Sequence, residues 1–448
     1  MTDTPIWLRD PLGISQAGAG RGVVVAGSRI VELVPTGAAG PVTPGATPFN
    51  AYRHVIIPGL INTHHHAYQT LTRALPAALD RGLFDWLRAL YPVWARLTPD
   101  AVESAATVAF AELLLSGCTT TADHHYVFPV GLEHAIDIEV AVARRLGIRA
   151  HVTRGSMNLS QRDGGLPPDS VVQEADTILA DSERLVAVHH ERGEDARVQV
   201  ALAPCSPFTV TPALMRDTAA LAARLDVRLH THLAETADEE AFCLSRFGRR
   251  PLDYLEEQGW LTPRTWLAHG VHFGRDEWPR LARAGVGIGH CACSNQVLGS
   301  GHCPVCDLEA AGIAVGLGVD GSASNNTSNM IAEVRAAFLL QRGRYGVDRV
   351  SHLDALRWGT QGGAACLGRP ELGRIGVGAQ ADLALFTLDE LRFAGSADPV
   401  AALILCGAQR ADRVMVGGRW VVEDGAIPGL DLAAVIARQN GHARQLAG

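Results

Sequence analysis

Lysine is absent from all 448 residues, so every one of the 39 basic side chains is an arginine. Without a lysine amine the chain cannot form a Schiff base, attach pyridoxal phosphate, or build the phosphate loop that depends on a lysine. Basic runs are missing as well. A formal net charge of −8 and a pI near 6.1 argue against a nucleic-acid surface. No stretch approaches the ~20 apolar residues of a membrane span, and no charged-then-apolar leader opens the chain, so a cytoplasmic protein without membrane partners is expected. Repeats and low-complexity linkers are lacking too.

What is present is apolar mass and a set of distinctive strand ends. A chain of 448 residues with 47% apolar side chains can fill one large barrel core and a smaller second one. In Val55–His66 (VIIPGLINTHHH) an apolar run fit for a buried parallel strand ends in histidines. Side chains two apart on a strand share a face, so His64 and His66 should point together from its C-terminal end. Neutral imidazole is the commonest metal ligand, whereas an incidental histidine run has no reason to follow a buried strand. Val227–Glu235 (VRLHTHLAE), Trp266–His269 (WLAH) and Val315–Asp320 (VGLGVD) are three more apolar runs ending in metal-competent or proton-transfer groups. Any one of them could be structural; four in order are hard to explain by packing.

The spacing predicts an α/β fold. Apolar strands fall near 55–61, 118–123, 148–154, 197–204, 227–233, 265–269, 286–290 and 314–319. Helical patterns such as 99–115, 170–188 and 212–225 separate them, as a (β/α)8 barrel requires. Such barrels keep their chemistry at the C-terminal ends of the strands. The stretch 67–97, rich in aromatics (Tyr68, Phe84, Trp86, Tyr91, Trp94), is expected to cover the barrel mouth, with most of those rings serving helix packing.

From Pro58 to Asn325, and in its flanks, the chain resembles the amidohydrolase superfamily over nearly its whole length, most closely the aminohydrolase branch that deaminates purines, pyrimidines and triazines. The resemblance implies a TIM-like barrel at 55–369 and a small β-sandwich built from 1–54 and 370–448, where Gly22–Val34, Ala381–Leu385 and Val414–Val422 read as short strands. It implies His64, His66, His232 and Asp320 as metal ligands, Glu235 and His269 as the proton-handling pair, and Asp320 as a participant in the chemistry. The two-metal relatives need a carbamylated lysine, which this chain lacks, so one ion is expected. Nitrogen-rich ligation favours Zn2+, though Fe or Mn suits the same set.

Four stretches, Gly82–Leu87, Ser116–Thr121, Gly164–Ser170 and Ala203–Phe208, resemble the branch members that deaminate 8-oxoguanine. They imply that substrate, giving urate and ammonia, or a near analogue such as isocytosine. Gln69 matches a base-reading glutamine of purine-deaminating relatives; Trp86 is suited to stacking on a ring, and Cys205 is expected at the pocket floor. Tyr126, His125, Asn295 and Asn325 are weaker contacts, and His230, one layer deeper than His232, suits a supporting role. A homo-oligomer follows from the family likeness.

Nine cysteines remain. Cys291, Cys293, Cys303 and Cys306, with His290 and His302, crowd one stretch, but Cys291-Ala292-Cys293 is too tight for a structural zinc site, and reduced thiols are expected. The resembled family usually has Pro and Ser where Ala292 and Cys293 stand, so this loop departs from its pattern. Two other functions fit parts of the sequence: a triazine hydrolase removing an alkylamine or chloride, and a metal-free barrel serving binding or assembly. The second requires lost ligands, and none is lost.

Overall fold

A computed structural model describes residues 4–447. Eight strands close a parallel barrel in chain order: Leu60–Asn62, Cys118–His125, Arg149–Ser156, Val198–Pro204, Leu229–Leu233, Thr265–His269, Gly287–His290 and Val315–Leu317. The last pairs with the first through Leu317 and Asn62, which closes the ring. The strands are buried on both faces, as all-parallel sheets require. Helices begin where capping chemistry dictates. Thr98 and Thr211 accept the N–H of Ala101 and Leu214, and a proline occupies the first turn of Pro99–Leu115 and Pro212–Leu225. None of the described helices is long and apolar enough to cross a membrane.

The run Val55–Ile61, expected as one barrel strand, is divided. His54–Pro58 pairs antiparallel with Leu383–Thr387 in a five-stranded sheet, and only Leu60–Asn62 enters the barrel. The crossing falls at Gly59, where a Cβ would lie 2.2 Å from Thr119 Oγ1, so no larger residue fits between the two sheets. That five-stranded sheet joins both chain ends, with Gly13–Ile14 on one edge and Arg413–Val416 and Arg419–Val422 on the other. A four-stranded sheet from Ile6–Arg9, Gly22–Ala26, Arg29–Leu33 and Thr47–Asn50 packs against it through Leu8, Val23, Ile30, Ile56, Leu385 and Met415.

The end of the chain returns to the barrel. In helix Leu432–Ala447, Gln439 accepts from Ser104 Oγ at 2.8 Å and donates to Thr70 Oγ1 at 3.0 Å, so this helix braces the segment after the first barrel strand. The stretch 67–97 forms 3-10 turns at Ala67–Thr72 and Pro76–Ala78 and a helix at Leu83–Trp94. Tyr68, Tyr91 and Trp94 pack internally.

Candidate active site

His64 and His66 leave the first barrel strand, and His232 ends the fifth. Their hydrogen bonds fix the tautomers, because a carbonyl can only accept. His66 Nδ1–H donates to the His124 carbonyl (2.7 Å) and His232 Nδ1–H to the Cys205 carbonyl (2.7 Å). His230 Nδ1–H donates to the Trp266 carbonyl (2.9 Å), so its Nε2 is bare and accepts His64 Nδ1–H at 2.8 Å. Three unprotonated Nε2 atoms remain and converge. Those of His66 and His232 lie 3.2 Å apart, and those of His64 and His66 lie 3.3 and 3.2 Å from Asp320 Oδ1. His64 Nε2 is buried without a hydrogen-bond partner. Lone pairs facing one another and a carboxylate in a buried site are repulsive unless a cation lies among them. The donor set therefore fits a metal ion, and three nitrogens with one oxygen suit zinc.

Burial drives the His64 and His232 imidazoles well below their usual range, which keeps both neutral. Burial alone would raise the Asp320 carboxyl, but its close approach to His64 and His66 outweighs it and holds the group well below the usual carboxylate range. Ser294 Oγ–H at 2.5 Å and the Gly321 N–H at 2.7 Å steady its two oxygens. The residues at these strand ends adopt backbone that side chains usually avoid: φ is +55° at Ala234, +75° at His269 and +61° at Asp320. Such conformations gather where side-chain direction matters more than local comfort.

Glu235 and His269 face each other, with Oε2 3.5 Å from Nε2. Burial, with the negative charge of Asp320 and Glu239 nearby, drives the Glu235 carboxyl far above its usual range, so it can hold a proton. His269 Nδ1–H donates to Asn295 Oδ1 at 2.9 Å, leaving Nε2 as an acceptor toward Glu235.

A half-open cavity with about 360 Å³ of free space, its mouth included, joins these groups. His66, His232, Asp320, Glu235 and His269 line its floor. Trp86, Leu83, Leu87, Phe208 and Leu298 form apolar walls, and Gln69, Tyr126, Cys205 and Ser324 complete it. Of the expected residues, His66, His232, Asp320, Glu235, His269, Gln69, Trp86 and Cys205 line this one cavity, and His64 reaches it through the cluster it forms with His66, His232 and Asp320. Gln69 Nε2 reaches Tyr126 Oη at 3.5 Å, and its Oε1 is buried without a partner over Gly321, where a Cβ would lie 1.8 Å from it.

Two weaker candidates turn away from the cavity. His125 points outward and pairs with Glu139 (2.8 Å), while His124, its neighbour on the strand, faces the cluster and stacks 4.9 Å from His232. The expected contact His125 thus gives way to His124, because the strand runs on to His125 and its alternation turns His124 inward. Asn325 is committed to the Val319 carbonyl (2.7 Å) and Glu333 (3.1 Å), and Ser324 lines the cavity in its place. Ser294 had no local signal in the sequence, since its role arises only where the helix after the seventh strand meets the eighth. Cys291 sits beside His269 and Asp320.

Residues 55–421 match the amidohydrolase family. The chain is 62% identical over 443 residues, 98% of each sequence, to an 8-oxoguanine deaminase of Pseudomonas aeruginosa. It is 39% identical over 383 residues, 84% of this chain and 79% of the relative, to a hydroxydechloroatrazine ethylaminohydrolase of a Pseudomonas species. Among solved structures, an atrazine chlorohydrolase of Arthrobacter aurescens complexed with zinc matches with a TM-score of 0.91 at 32% identity, covering 98% of this chain and 100% of that one. A matched span that includes every strand of the barrel and a relative alike from end to end lead to one conclusion: the chain belongs to the amidohydrolase family.

Proposed function

We propose that this chain is a hydrolytic deaminase that converts 8-oxoguanine and water to urate and ammonia, using one Zn2+ per chain held by His64, His66, His232 and Asp320. The observation that carries the reading is the meeting of a proton-holding pair, Glu235 and His269, with that donor set at one cavity walled by Trp86 and Phe208. The 62% identity to an 8-oxoguanine deaminase supports this substrate over other heterocycles. Cytoplasmic location and self-association complete the proposal by family likeness.

When bound, the metal ion acts as a Lewis acid that lowers the pKa of water toward about 7. The residues supply the rest. Trp86 and Phe208 offer flat apolar surface to the ring, and Gln69 offers a free acceptor and a donor to its polar edge. Glu235 takes a proton from the attacking water as the C–O bond forms at the amino-bearing ring carbon. It gives that proton to the exocyclic nitrogen as the C–N bond breaks and ammonia leaves. His269 Nε2, oriented through Asn295, accepts a hydrogen bond from the water and fixes its direction. Moving the remaining hydroxyl proton to the ring nitrogen gives the carbonyl of the product.

Purified enzyme incubated with 8-oxoguanine should release urate and ammonia in equal amounts, and Glu235→Gln should retain metal and fold while losing at least about a hundredfold in kcat. Near-normal turnover in that variant, with metal bound, overturns the role of Glu235. The 39% identical ethylaminohydrolase favours a second reading, hydrolysis of an alkylamine from a triazine. Release of ethylamine from an N-ethylaminotriazine, with no urate from 8-oxoguanine, would establish it.

A further inference from the structure

Among the described residues, Glu235 meets no partner through its own carboxylate other than His269, at 3.5 Å. Its placement therefore depends on the main chain beneath it, where Ala234 adopts a left-handed φ of +55°. The two backbone N–H groups of this turn converge on one buried side chain. Ala234 N–H donates to Glu239 Oε1 at 3.0 Å and Glu235 N–H to Glu239 Oε2 at 2.9 Å, and Glu239 is 0% exposed.

Glu239 lies in the first turn of helix Ala237–Phe247, and its own N–H donates to Oγ1 of the capping Thr236 at 3.4 Å. In an ordinary capping box the carboxylate at this position returns to the N–H of the capping residue itself. Here it reaches past Thr236 to the two residues before it. A buried carboxylate is expensive to desolvate, and an apolar side chain would serve packing better. The same device recurs around the barrel mouth. Asp123 Oδ1 accepts the N–H of Ala67, directly after His66, at 2.7 Å. Glu333 accepts the N–H of Cys293, directly before Ser294, at 3.0 Å. Each of these carboxylates is at most 1% exposed, and each grips main chain next to a residue that shapes the site.

We propose that Glu239 is a positioning residue: its carboxylate clamps two successive backbone amides and so fixes the direction in which Glu235 meets the substrate. The inference rests on Glu235 being the proton carrier proposed above. Releasing the clamp leaves the turn formed but free to shift, and a misplacement of about 1 Å at a reacting group costs on the order of a hundredfold in rate.

The test compares Glu239→Gln, Thr236→Ala and Glu235→Gln in steady-state release of urate from 8-oxoguanine, with zinc content and Tm measured on each. Glu239→Gln keeps one acceptor but turns its NH2 toward the second backbone N–H. Its kcat should fall about ten- to a hundredfold, while KM and zinc content stay within about twofold. Thr236→Ala removes a helix cap and lowers Tm, yet leaves both clamp bonds, so its kcat should stay within about threefold. Where Glu239→Gln does not accumulate as folded protein, Glu239→Asp takes its place; it keeps the charge but withdraws by one methylene, and should lose kcat with KM unchanged. Unchanged kcat in the folded Glu239 variant overturns the inference, as does an equal loss in Thr236→Ala at equal Tm. Retained turnover in Glu235→Gln instead overturns the underlying role of Glu235.

Discussion

Replacing His230 with phenylalanine should weaken metal binding ten- to a hundredfold without disturbing the fold. His230 touches no substrate-facing surface. It stacks on Trp266 with ring centroids 4.4 Å apart and planes 16° from parallel, a contact a phenyl ring can reproduce. What phenylalanine cannot reproduce is Nε2, the acceptor of His64 Nδ1–H at 2.8 Å. His64 is fully buried, so its N–H would be left without a partner, at about 1–3 kcal/mol. Loss of the group that orients a ligating histidine typically costs 10- to 100-fold in metal affinity, or about 1.4–2.7 kcal/mol, and the two ranges coincide. Competition with a chromogenic chelator measures the change directly. His230→Gln, whose Oε1 can accept from His64, should recover part of the loss. Affinity within twofold of the original in the phenylalanine variant would refute the relay through His64, as would a glutamine variant equally weak at equal Tm.

Two further outcomes follow from single residues. Gln69→Ala removes a buried amide from the cavity wall and should lower kcat/KM for the true substrate about ten- to a hundredfold, equivalent to about 1–3 kcal/mol, with zinc content unchanged; steady-state kinetics on the metal-replete variant checks it. Outside the cavity, burial pushes the Glu139 carboxyl up to about 8 and the His125 imidazole down to about 4. Since His125 Nε2–H is committed to the Val127 carbonyl, the protonated carboxyl donates to Nδ1. A carboxyl whose folded pKa is raised contributes stability that is complete below its ordinary 4.5 and lost as pH rises through about 8, at up to about 1.4 kcal/mol per pH unit inside that window. Tm should therefore fall from about pH 6 to about pH 8, and Glu139→Gln, whose amide N–H can replace the donor, should flatten the fall; parallel slopes would count against it.

The metal-competent and proton-transfer candidates were visible in the sequence because they end apolar runs, while their division into ligands and proton carriers came from the family resemblance. An isolated strand displays its buried character and its last polar residue together, so His64, His66, His232, His269 and Asp320 stand out before any fold is known. The barrel followed from the count and spacing of those runs. Three things were not legible, each for a tertiary reason. Val55–Ile61 reads as one strand because apolar content is continuous across Gly59, and the close packing of Gly59 against Thr119, far along the chain, leaves no local mark. His124 and His125 are indistinguishable by composition, and the choice between them belongs to barrel parity. Glu239 and Glu333 look like ordinary helix-surface acids, since nothing local marks a carboxylate that will be buried against another loop's amides.

The most direct test is the rate of ammonia release from a panel of amino heterocycles by the zinc-loaded protein, with guanine, cytosine and an N-ethylaminotriazine set beside 8-oxoguanine. The account predicts that 8-oxoguanine is converted to urate with kcat/KM at least about a hundredfold above guanine and cytosine, that the triazine yields no ethylamine, and that Glu235→Gln abolishes the reaction. Brisk release from guanine or cytosine with none from 8-oxoguanine would contradict the substrate assignment, and no release from any member of the panel by metal-replete protein would contradict the deaminase itself.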